Sequence, residues 1–329
     1  MKKTKFIIII IIVSMSFISC TKGESGLEFV AQEETPSASV SDDQDSAINE
    51  RLAEESGIRH FLYHVGPVDL PAHTKLDEAL EEPILMNFRV DKSLWIIGFK
   101  PKVIDATGAE LPSDLLFQAI ISNEHEENTL CKEGATGNPF ISATSNLTEI
   151  ELPKGYGYPV METDPLEAKV ILYNPTDISY VDVSFELDVI AREMNEFTGM
   201  KDVKPLLLDV DPCTHMPIQL EPESFEEQEA SFDLPGSGSV IVGQGIVQKF
   251  ASYVELFKGK DTTSFWRTEA ILDENYNIVE LIGNPFEDPD GQHFGKDDKI
   301  TMKVAYENLG KSWFKGASAA AMIYYSIDE

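Results

Sequence analysis

The sequence predicts an all-β protein, two antiparallel β-sandwich domains of jelly-roll type behind a disordered acidic N-terminal tether. Three observations carry this. Val181, Val183, Phe185, Leu187 and Val189 alternate with Asp182, Ser184, Glu186 and Asp188, which sets one face in a core and one in water. Comparable runs recur at spacings of about 8–15 residues, with Gly, Pro and Asn between them. Long helical periodicity is absent, apart from one short candidate at Thr74–Leu80.

Taken in order, Pro83–Val90, Trp95–Ile104, Leu115–Ser122 and Leu166–Asn174 read as strands of the first half. Asp105-Ala-Thr-Gly108 is a turn between two of them, and Asn174-Pro175 closes the last. A second series follows: Ala230–Leu234, Val240–Val242, Val247–Phe257, Trp266–Leu272, Ile278–Ile282, Lys299–Tyr306 and Ala319–Ser326. Gly236-Ser-Gly-Ser239 is a turn within it. The expected domains are 58–204 and 205–329. Gly155-Tyr-Gly-Tyr158 reads as a loop tip whose aromatics either meet a ligand or pack between hairpins.

The N-terminus has a different logic. Lys2, Lys3 and Lys5 precede an apolar stretch from Phe6 to Val13, and Phe17-Ile18-Ser19 leads into Cys20. A cationic start and a short apolar core describe a secretory signal peptide over residues 1–19, too short to span a bilayer. The ending resembles a bacterial lipobox, which implies that Cys20 is acylated, with palmitate among the chains. The mature protein is then expected in the cell envelope, held on a membrane by its lipid. Residues 20–57 are rich in Ser, Glu, Asp, Gln and Ala, and too poor in apolar side chains to offset the entropy of ordering. Asp42, Asp43 and Asp45 lie in this stretch as solvated charge.

The 329-residue chain carries a formal net charge of −31. Residues 1–19 contain three lysines and no acid, so their removal takes the charge to −34. Such a surface repels polyphosphate, and nucleic acid is excluded as a partner. The expected partners are the membrane, through the anchor, and a small molecule or protein not named by the sequence.

After Cys20 only Cys131 and Cys213 are left. In an oxidising compartment they most simply form a disulfide. The rival reading is a soft metal site, because Cys213 is followed by His215 and Met216, and thiolate, imidazole and thioether together suit copper.

Several segments in series carry a resemblance. They are Pro83-Ile-Leu-Met-Asn-Phe88, Trp95-Ile-Ile-Gly-Phe99, Val103-Ile-Asp-Ala-Thr-Gly108 and Pro153-Lys-Gly-Tyr-Gly-Tyr-Pro159. Leu206-Leu-Leu-Asp-Val-Asp-Pro-Cys213, Gly243–Leu256 and Tyr306-Glu-Asn308 continue it. Together they resemble the copper type II, ascorbate-dependent monooxygenase fold, in the bacterial branch similar to plant stress-up-regulated nodulin proteins. The resemblance implies two stacked sandwiches, each of which holds one copper in the family's enzymes. It places a histidine pair of the first domain near Phe117 and Gln118. It places the Gly-His-x-His of the second on Gly245-Ile246-Val247-Gln248, and a copper-binding methionine near Met322. Phenylalanine and isoleucine cannot ligate a metal, and glutamine is a poor ligand for Cu(I).

The expectation is therefore a non-catalytic binding or structural module on a scaffold that has lost its copper ligands. The alternatives are a copper-dependent oxidoreductase or an envelope copper-binding protein, with a site rebuilt from His60, His64, His215, Met216 and Met322. His60 and His64 share a face on either a helix or a strand, about 13 Å apart in the second case. Asp288-Pro-Asp290-Gly291-Gln-His293 has closely spaced oxygens but lacks the length and terminal Glu of a calcium loop, and its Asp290-Gly291 reads more simply as a turn. Asn146-Leu-Thr148 matches a glycosylation sequon. No nucleophile elbow or phosphate-cradling loop is present.

Overall fold

The computed structural model describes residues 57–131, 136–213, 217–273 and 278–328. Ten strands come from the first part: β1 (Ile58–Leu70), β2 (Ile84–Phe88), β3 (Leu94–Ile104), β4 (Leu116–Glu127), β5 (Thr136–Thr144), β6 (Ile150–Glu151), β7 (Tyr156–Val160), β8 (Leu166–Leu172), β9 (Tyr180–Glu193) and β10 (Lys201–Asp202). One sheet runs β1-β9-β3-β7-β10, with β6 on β3, and the facing sheet runs β2-β8-β4-β5. The chain steps between the sheets and returns, so that β8 ends beside β2 and β9 beside β1. This is the wrapped double Greek key of a jelly roll. A short helix, α1 (Leu76–Glu81), joins β1 to β2 and overlaps the helical candidate at Thr74–Leu80.

The second part repeats the plan with β11 (Lys204–Asp209), β12 (Ile218–Leu220), β13 (Ser224–Asp233), β14 (Gly238–Val247), β15 (Ala251–Lys258), β16 (Trp266–Leu272), β17 (Ile278–Ile282), β18 (Phe286–Phe294), β19 (Lys299–Asn308), β20 (Phe314–Ala317) and β21 (Ala319–Ile327). Its sheets are β11-β21-β14-β18 and β13-β19-β15-β16-β17, and β12 pairs with β20 apart from them. Leaving out β6 and β10 of the first part and β12, β17 and β20 of the second, the strand order is the same in both, so the fold is a tandem pair of jelly rolls. Among the described strands every pairing is antiparallel except the short one between β7 and β10.

Three strands of the sheet β11-β21-β14-β18, namely β11, β21 and β14, are buried on both faces. Leu206, Leu208, Val240, Val247, Ala321, Ile323 and Tyr325 point into the core of the second sandwich. Leu207, Ile241, Ile246, Ala320, Met322 and Tyr324, on the opposite face, belong to the core of the first. That explains why Leu206-Leu-Leu208 and Ala319–Tyr325 are unbroken apolar runs while β9 alternates: a strand covered on both sides has no polar face to offer. Hydrogen bonds close the seam between the sandwiches. Tyr324 donates its hydroxyl to the Phe140 carbonyl at 2.9 Å, and the Asn146 amide donates to Val247 O at 3.3 Å. Asn284 donates to Thr148 Oγ1 at 3.2 Å.

Local chemistry explains several features. The Asp105 turn forms because its carboxylate accepts from Thr107 N, Thr107 Oγ1 and Ala109 N at 2.8, 2.6 and 3.0 Å. These donors hold the Asp105 carboxyl below its ordinary pKa. Gly98 lets β6 approach β3, since a Cβ there would stand 2.6 Å from the Ile150 carbonyl oxygen.

One strand reading, one turn reading and one loop reading are corrected by the fold. Val247–Phe257 is not one strand: β14 ends at Val247, and Phe250 takes a positive φ of 69° before β15 starts at Ala251. The turn read at Asp290-Gly291 lies inside β18, where a register irregularity between Val240 and Val242 absorbs Gly291 at φ 71°. Tyr156 and Tyr158 are in strand β7, not at a loop tip.

Candidate functional site

The cysteines settle first. Cys131 follows β4 and Cys213 follows β11, and they form a disulfide with a Cα–Cα distance of 4.8 Å across 82 residues of sequence. Both sulfurs are thereby removed from the soft-metal set. His215 and Met216 lie outside the described residues, as do Cys20 and Asp42, Asp43 and Asp45.

The positions to which the resemblance assigns copper ligands form part of the seam between the sandwiches. Ile246 is 0% exposed and packs in the first core. Gln248 is 4% exposed, and its side-chain amide donates to the backbone carbonyl of Phe117. Two positions expected to hold separate metals thus meet directly, one amide bonded to one carbonyl. Gln118 is buried beside them on β4, and Met322 is wholly enclosed on β21, opposite Gln244. An amide already committed to a carbonyl, an isoleucine and a phenylalanine do not fit copper. Among the described residues no three His, Cys, Asp or Glu side chains converge as a metal-binding group.

His60 and His64 project from β1 onto the outer face of the sheet β1-β9-β3-β7-β10. The register there builds two rows. Leu62, Asp188 and Lys100 are cross-strand neighbours in one, and His64, Glu186 and Lys102 in the next. His60 Nδ1 lies 3.0 Å from Asp188, and His64 Nε2 lies 2.8 Å from Glu186. Lys100 and Lys102 go on to Glu149 and Glu110 at 3.1 and 3.0 Å. Those carboxylates raise both ammonium pKa values, chiefly through the hydrogen bonds they accept. This is a ladder of alternating charge on a wet sheet face, in which each histidine has its own carboxylate and the two histidines share none. His73, His125 and His293 follow the same rule with Asp177, Asp164 and Asp328.

The same sheet face changes character towards the start of β1. Ile58, Arg192 and Trp95 are neighbours across β1, β9 and β3, and Ile190 lies beside His60 and Gly98. Here the chain between β9 and β10 contributes Phe197 and Met200, the β6–β7 loop Leu152, Pro153 and Lys154, and the start of β7 Tyr156. Together they enclose a cleft of about 590 Å³. Ile58, Ile97, Leu152, Ile190 and Phe197 give it an apolar lining, and Glu151, Lys154 and Arg192 are its charged residues. The Arg192 guanidinium stacks 4.1 Å from the Phe197 ring centre. Gly155, at φ 87°, makes the turn that starts β7. Tyr156 and Met200 also line a second cleft of about 540 Å³, with Lys201, Lys204, Asp202, Asp290 and Asp328. The Lys201 ammonium stands 5.6 Å over the Tyr156 ring.

Sequence reasoning found Tyr156 through its Gly-Tyr-Gly-Tyr setting but missed Arg192, Phe197 and Met200. They belong to no motif: Arg192 lies near the end of β9, and Phe197 and Met200 reach the β6–β7 loop only through the β9–β10 connection. The other tyrosine of the pair, Tyr158, is a core residue at 1% exposure, stacked 4.8 Å from Phe140. Its phenol pKa is pushed well above the ordinary value by burial and then by Glu126. Asn123 donates to Tyr158 Oη and to Asp164 at 3.3 and 3.1 Å, so this polar pocket is satisfied from within.

The site so defined is a ligand-sized cleft on the outer sheet of a tandem jelly roll. No family model matches the chain, and no curated protein matches it. Among solved structures 33 chains are similar. One is the STIV MCP, at 12% identity and a TM-score of 0.34, over 82% of this chain and 97% of that one.

Proposed function

We propose that this chain is a lipid-anchored protein of the bacterial cell envelope that works as a non-catalytic binding module on a copper-monooxygenase-like scaffold. The observation that carries the reading is the bond from Gln248 to the Phe117 carbonyl, because it turns the two expected metal positions into a structural clasp. Ile246 and Met322, enclosed in the apolar seam, support it. A fold hosts many activities, so the chemistry must come from the residues present, and these favour binding over redox turnover. The test is oxygen uptake with ascorbate, using mature protein that has been loaded with copper and freed of unbound metal. The reading expects the rate of the buffer control. Uptake that scales with protein concentration would overturn it.

A further inference from the structure

We infer that the second cleft, lined by Tyr156, Lys201, Asp202, Lys204 and Asp290, binds a neutral oligosaccharide that runs on past Tyr156 toward the first cleft. The inference rests on the binding-module reading and adds the site and the class of ligand.

The place in the fold comes first. Here the β7–β10 pair of the first sandwich meets residues of β14, β18 and β21 of the second. The cleft between them, about 540 Å³, lies within the range of small-molecule sites, roughly 300–1,000 Å³. It shares Tyr156 and Met200 with the first cleft, so the two follow one another along the surface. A ligand built of repeated units suits that layout better than a single compact one.

The polar groups of this cleft are uncommitted. Among the described residues the Lys204 ammonium, the Asp202 and Asp290 carboxylates and the Ser239 and Ser326 hydroxyls have no ion pair or hydrogen bond. The Lys201 ammonium has the Tyr156 ring, 5.6 Å away. Asp328 is already engaged, by Ser237 and His293.

These groups decide the ligand's class. Two open carboxylates face two ammonium groups, so an anion meets Asp202 and Asp290 and a cation meets Lys201 and Lys204. A wholly apolar ligand would strip water from all four charges and pair none of them. A sugar hydroxyl both donates and accepts, so a neutral polyol can satisfy ammonium, carboxylate and serine together. Its C–H faces match the apolar part of the lining, Tyr156, Met200, Ile241 and Ile327. A zwitterion of amino-acid size carries both charges but fills little of the cleft. An extended peptide would need a strand edge to pair with, and β10 is only two residues long.

Calorimetric titration of the mature chain tests the inference. The probes are maltotetraose, cellotetraose and mannotetraose, with tetragalacturonate as the anionic control and glycylglycine as the zwitterionic one. At least one neutral tetramer is expected to bind saturably, one per chain, and at least tenfold more tightly than its own disaccharide and than either control. Asp202→Ala and Lys204→Ala should each weaken it about tenfold. Both should keep the parent's melting temperature to within about 2 °C, because neither side chain has a partner to lose. Tyr156→Ala should erase the advantage of the tetramer over the disaccharide. Met200→Ala provides a second variant at the shared boundary should Tyr156→Ala fail to fold, as judged by circular dichroism. Absence of saturable binding by all three tetramers, tighter binding of either control, or binding indifferent to Asp202→Ala and Lys204→Ala would overturn the inference. None of these outcomes alters the oxygen-uptake result, so failure of the cleft and failure of the binding-module reading are separable.

Discussion

Glu193 shows how single residues are tuned in this acidic chain. It ends β9 at 5% exposure, with Lys92 Nζ at 2.7 Å and Arg59 Nε at 3.3 Å. The Lys92 hydrogen bond, against some opposing desolvation, holds its pKa below the ordinary glutamate value. A carboxyl depressed on folding stabilises the protein above its unfolded pKa, and that contribution is lost as pH falls through the folded pKa. Glu193→Gln should therefore lower the melting temperature at neutral pH, and the gap from the parent should close as pH falls through and below the ordinary glutamate range. A gap that persisted unchanged at low pH would count against the ion pair. Gln248→Leu removes the donor to the Phe117 carbonyl and should cost about 1–3 kcal/mol in urea unfolding. The residue types at these positions could be read directly: Ile246 and Gln248 stand where histidines are expected. That they bond across the seam could not be read, because Phe117 is 131 residues away in sequence.

At the scale of elements, strands that alternate or run unbroken were legible, and irregular ones were not. β9 and β19 declare themselves by period two. β5 carries Gly137, Asn138 and Pro139, which read as turn residues. It tolerates them as the edge strand of its sheet, where a missing N–H faces no partner. β18 hides behind Asp-Pro-Asp-Gly for the related reason that its pairing with β14 is irregular. The disulfide was legible from compartment and count. It ties the end of β4 to the end of β11 and so staples the two sandwiches. Closing 82 residues is worth about 4.5 kcal/mol in the chain-entropy model. Cys131→Ser with Cys213→Ser should lower the melting temperature by roughly 5–15 °C, measured by calorimetry. A shift under about 2 °C would show that the staple spans parts already held by packing.

For the whole molecule, the doubly buried sheet is the organising feature. β11, β21 and β14 serve two cores at once, so the pair of jelly rolls shares a layer. The sequence announces this as apolar runs in three strands, but it does not say which neighbour covers the second face. The cleft was the least legible part, since it is assembled from β1, β9 and two loops. The proposed anchor predicts that Cys20→Ser moves the protein from the membrane fraction to the soluble fraction, which fractionation of expressing cells would check. The central claim is that the two copper positions have become a structural clasp. It is tested most directly by titrating the mature, unreduced chain with copper and counting metal retained after exchange into a weak competing chelator. The account predicts less than about one-tenth of a copper per chain with submicromolar affinity. One or two tightly held coppers per chain, lost on mutating His60, His64 or Met322, would contradict it.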